Sequence, residues 1–62
     1  MLTCEECRMI GVTPYAVYGG RVHSFKVREK QAFDGERDRV IPHGTGDYAE
    51  AVARVDARRA AP

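Results

Sequence analysis

The chain has 62 residues, ten Lys+Arg against nine Asp+Glu, and a formal charge of +1. That length excludes a second domain and a large enclosed active site, and with them most conventional enzymes. The hydrophobic fraction is 44 %, but eight of those residues are Ala. Leu, Ile, Val and Phe together number only twelve, a core so lean that an ion or a second copy of the chain is expected to supplement it. No run of about 18 apolar residues exists to span a bilayer, and the N-terminus lacks the pattern of a secretory leader, so the expected setting is cytoplasmic and reducing. The near-neutral charge gives no global attraction to polyanions, so any such binding needs a local patch.

The first segment, Met1–Gly11, carries Cys4-Glu5-Glu6-Cys7. Two residues between thiols let both sulfurs face one point across a tight turn, a Cys knuckle. Zn²⁺ takes four N or S ligands tetrahedrally. His23 and His43 are the only histidines, so Cys4, Cys7, His23 and His43 make a numerically complete Cys₂His₂ set, although the spacing of the two histidines is not the compact one of a finger. Structural zinc contributes roughly 10–16 kcal/mol of apparent binding energy in small peptides, enough to offset a lean core. A redox pair, or two unremarkable thiols, are the other readings of the same motif.

The second segment, Val12–Glu29, reads VTPYAVY-GG-RVHSFKVRE. Two β-rich runs around Gly19-Gly20 predict a hairpin, since both glycines accept positive φ. The register then puts Tyr18 opposite Arg21, Val17 opposite Val22 and Ala16 opposite His23. The face with Val12, Pro14, Ala16 and Tyr18, and with Arg21, His23, Phe25 and Val27, is expected to point inward. Pro14 cannot donate to a ladder and marks an edge strand. On the other face Lys26 and Arg28 accompany Tyr15, an arrangement suited to holding single-stranded nucleic acid by phosphate contact and stacking. A charge-protected edge explains the same residues without a ligand.

The third segment, Lys30–Gly46, predicts an irregular loop with a turn at Asp34-Gly35 and a short strand at Arg39–Ile41. The alternating Glu36-Arg37-Asp38-Arg39 run reads as a solvated loop or an exposed edge, and His43-Gly44-Thr45-Gly46 as a lead-in to a helix rather than a phosphate cradle, because Asp47 would repel an anion. In the fourth segment, Asp47 followed by Glu50 resembles a capping box, and Tyr48, Ala51, Val52 and Val55 recur at helical spacing. Residues 1–60 are expected to form one domain, with 61–62 frayed.

Cys4-x₂-Cys7 followed by a hairpin resembles the first half of a zinc ribbon. The second Cys pair that completes a ribbon is missing, so no functional residues carry over. The expected class is thus α+β: a zinc-stabilised mini-domain of Cys knuckle, β-hairpin, loop and C-terminal α-helix. Its expected role is that of a non-enzymatic binding or regulatory module, with a protein or nucleic acid as partner. A metal-free homodimer is the alternative.

Overall fold

The computed structural model describes residues 1–33 and 35–61. The elements run α1 (Cys4–Met9), β1 (Thr13–Tyr18), β2 (Arg21–Gln31), β3 (Gly35–Pro42) and α2 (Gly46–Ala60). The three strands form one antiparallel sheet in the order β1-β2-β3. The fold is α+β, with two helices rather than one.

The Cys4–Cys7 segment is a helical turn, not a knuckle, and the reason lies in its flanks. Thr3 and Glu6 make a capping box: the Glu6 N–H donates to Thr3 Oγ1 at 3.2 Å, and the Thr3 N–H donates to Glu6 Oε1 at 2.8 Å. Two of the amides a helix start leaves unpaired are satisfied reciprocally. The helix stops at Gly11, whose φ of 77° would strain any residue with a Cβ.

The Gly19-Gly20 turn, with φ of 57° and 76°, closes β1 onto β2. Tyr18 pairs with Arg21 and Val17 with Val22 as expected, but Ala16 pairs with Ser24 rather than His23. Two register shifts account for this, leaving Tyr15 unpaired on β1 and His23 unpaired on β2. Each such bulge changes which face the following side chains occupy. Val22, Ser24 and Phe25 are therefore all buried, while Tyr18 and Arg21, expected to share the inward face, are exposed. β1 is an edge strand, as Pro14 requires.

The third strand is longer than the three residues expected. β2 and β3 pair without interruption from Ser24↔Pro42 to Gln31↔Gly35. The alternating run, expected as a solvated loop or an exposed edge, is the second of these: an edge strand with exposed side chains. Its outer part is held by ion pairs: Arg28 to Glu36 at 3.2 Å and to Asp38 at 3.3 Å, and Arg39 to Glu29 at 3.1 Å. Asp34, half of the expected turn, lies outside the described residues, as does Pro62 of the expected frayed tail.

α2 begins one residue earlier than Asp47. Its cap is Thr45, whose Oγ1 accepts from the Tyr48 N–H at 3.3 Å and donates to the Pro42 carbonyl at 2.8 Å. Asp47 is released from capping and pairs with Arg39 at 3.0 Å. The helix buries Tyr48, Ala51 and Val55, with Val52 half-buried beside them.

These residues meet Leu2, Cys7, Ile10, Val22, Phe25 and Ile41 in one core. Leu2 adds a single antiparallel bridge to Val22, its carbonyl accepting from the Val22 N–H at 2.7 Å. The Tyr48 hydroxyl closes the junction, accepting from the Leu2 N–H at 2.8 Å and donating to the Val22 carbonyl at 2.6 Å. Burying a hydroxyl is tolerable because both of its roles are filled. One side chain thereby ties α2, β2 and the N-terminal segment together.

Candidate functional site

A groove of about 480 Å³ runs between the end of α1, the middle of β2 and α2. Ile10, Val12 and Val27 give it an apolar floor, while Lys26, Arg28 and Arg54 bring three cations to it and Asp38 one anion. The β2–β3 register sets the polar wall: Lys26, Arg28 and Lys30 alternate onto one face, opposite Val40, Asp38 and Glu36 respectively. Arg54 arrives from α2, two turns past the cap.

The cations differ in how far they are already committed. Arg28 bridges Glu36 and Asp38. The hydrogen bond to Glu36, with the negative charge of Asp38 and Glu36, pushes its guanidinium above the ordinary arginine range, so it stays charged while much of its field is cancelled locally. Lys26 and Arg54 make no ion pair among the described residues. The Lys26 ammonium instead lies 5.6 Å from the centre of the Tyr15 ring, a cation–π contact worth roughly 0.5–1 kcal/mol at an exposed site. Tyr15 itself is 60 % exposed.

The three residues read from the sequence as a nucleic-acid face are therefore brought together, with Lys26 shared between the groove and the tyrosine. Arg54 lines the same groove without being marked in the sequence. It stands 26 positions beyond Arg28, and nothing local to the Ala-Arg-Val stretch distinguishes it from a solvated helical arginine.

The four candidate zinc ligands separate into two pairs. Cys4 is exposed on α1 and Cys7 is buried in the core. His23 and His43 face each other across β2 and the residue following β3, with ring centres 5.5 Å apart, and the His43 N–H donates to the His23 carbonyl at 2.9 Å. Tyr18 continues this ring contact beyond His23 at 5.1 Å, and Tyr48 beyond His43 at 6.2 Å. Among the described residues no three of His, Cys, Asp and Glu are grouped as a metal would need. The capping box is the physical cause on the thiol side, since it folds the motif into a helix and turns Cys7 inward. Among the described residues no helix is long and apolar enough to cross a membrane.

No protein-family model matches the chain, and no curated protein or solved structure matches it either.

Proposed function

We propose that the chain is a small non-enzymatic binding module whose ligand is a short stretch of single-stranded nucleic acid. The observation that carries this reading is that Lys26 and Arg54, neither in an ion pair among the described residues, share one groove with an exposed Tyr15 at its margin. Phosphates sit against Lys26 and Arg54, Arg28 adds to the field, and a base stacks on the free face of Tyr15. Stacking of a base on an aromatic ring contributes about 1–3 kcal/mol by truncation. The apolar floor of Ile10, Val12 and Val27 accepts the edge of a base or sugar without demanding particular hydrogen bonds, so weak sequence preference is expected.

The charge count bounds the affinity. Three cations neutralise at most about three phosphates, so log K against log salt should fall with a slope near −2 for a single strand. The test is fluorescence anisotropy of labelled oligo-dT and oligo-U across a salt series. Binding that weakens with that slope and is lost in Lys26→Glu/Arg54→Glu supports the reading. Binding that is absent at low salt, or unchanged in the double variant, overturns it.

A further inference from the structure

Cys4 and Cys7 take no part in the groove. They lie three positions apart on α1, Cys4 exposed and Cys7 with no exposed surface. Helical geometry sets their Cα atoms about 5 Å apart, inside the roughly 4.4–6.8 Å that a disulfide spans. Their Cβ atoms, about 5–6 Å apart at this helical spacing, need to approach by about 1 Å to be bridged. That adjustment falls on the first turn, where it strains the Cys7 N–H to Thr3 carbonyl bond of 3.0 Å, the Val12 N–H to Cys7 carbonyl bond of 2.9 Å and the capping box.

We propose that Cys4 and Cys7 form a thiol–disulfide exchange site, in which exposed Cys4 reacts first with a small-molecule disulfide and buried Cys7 then resolves the adduct. In the first step the Cys4 thiolate attacks one sulfur of R–S–S–R. A Cys4–S–S–R bond forms and RS⁻ leaves, taking up a proton equivalent to the one Cys4 gave to solvent. In the second step the Cys7 thiolate attacks the Cys4 sulfur and expels the second RS⁻, which is protonated in turn. Two protein thiols are oxidised to one disulfide, and one small disulfide is reduced to two thiols.

The order of attack follows from access. Cys4 meets a solvent-borne disulfide directly, whereas Cys7 is packed in a core with Leu2, Val22 and Val55. Cys7 is thereby reached only by a sulfur already tethered to the chain, as the Cys4 adduct is.

The experiment is intact-mass spectrometry of the full chain incubated with oxidised glutathione at neutral pH, with acid quenching over time and peptide mapping. The wild type should pass through a transient glutathione adduct mapped to Cys4 and end having lost two hydrogens, with no glutathione retained. C7S should hold one glutathione on Cys4, and C4S should stay unmodified on the same timescale. An early adduct mapped to Cys7, a wild type that retains glutathione, or no reaction at Cys4 would overturn the proposal. The trapped wild-type adduct decides the order of attack even where a variant loses its fold.

Discussion

Tyr48→Phe isolates the polar tie on which the core depends. The substitution keeps the ring and its contact with Phe25, whose centre lies 5.6 Å away, and deletes only the hydroxyl. Two backbone groups then lose a partner in a buried place: the Leu2 N–H and the Val22 carbonyl. A buried group left unpaired costs about 1–3 kcal/mol. Leu2 is near the chain end and can retreat towards water, whereas Val22 is held in mid-sheet, so a total of about 2–4 kcal/mol is expected. A domain of this size has roughly 3–9 kcal/mol in all, and each kcal/mol moves its Tm by about 4–8 °C. The variant should therefore melt some 10–30 °C lower, by the same scaling, or be largely unfolded at room temperature. Urea titration followed by circular dichroism gives the free energy directly. Tyr18→Phe, at a position 69 % exposed, is the matched control and should stay within about 0.5 kcal/mol of wild type. If the two variants were equally mild, the hydroxyl would not be the clamp described here.

Other consequences are open to the same methods. Among the described residues no third His, Cys, Asp or Glu is grouped with Cys4 and Cys7, so a strong chelator should leave the thermal melt of the reduced protein unchanged; chelator-induced unfolding would support zinc on Cys4, Cys7, His23 and His43. Hydrogen bonding from the Thr3 backbone, followed by the Thr3 hydroxyl and the Arg59 charge, holds the Glu6 carboxyl below the usual value of 4.5. Its folded value is depressed, so its contribution is present above the unfolded value and lost as pH falls through the folded one. Accordingly, the stability gap between wild type and Glu6→Gln should narrow between neutral pH and pH values below about 4, read as urea midpoints; a gap that widens on acidification would contradict it. Phe33, 97 % exposed at the outer end of the β2–β3 hairpin, makes no core contact, so Phe33→Ser should change stability by less than about 0.5 kcal/mol. A larger loss would mean that Phe33 is covered in solution.

The parts of the fold that were legible are those encoded locally. Gly19-Gly20 between β-rich runs marks its hairpin, and Tyr48, Ala51, Val52 and Val55 mark the buried side of α2. At two places the less conspicuous of two neighbouring signals prevails. The Thr3-x-x-Glu6 box was present in the sequence, but the Cys spacing around it suggested a turn. Asp47-x-x-Glu50 resembled a cap, while Thr45 filled that role by also holding the Pro42 carbonyl. The length of β3 depends on cross-strand charge pairs such as Arg28 with Asp38, which alternate in sequence like a solvated loop and become complementary only once the register is known. The bulges at Tyr15 and His23 have no local signature. The one at His23 directly follows Val22, whose N–H is taken by the Leu2 carbonyl from a distant part of the chain. For the candidate site, Tyr15, Lys26 and Arg28 could be found within one hairpin, whereas Arg54 reaches the groove only through the tertiary packing of α2.

The groove itself is tested most directly by following the backbone amides of isotopically labelled protein by NMR during titration with a short oligo-dT. Perturbations concentrated at residues 10–13, Tyr15, 26–28 and Arg54, and suppressed by added salt, are predicted. Shifts confined to the Phe33 end of the β2–β3 hairpin, or none at any oligonucleotide excess at low salt, would contradict it.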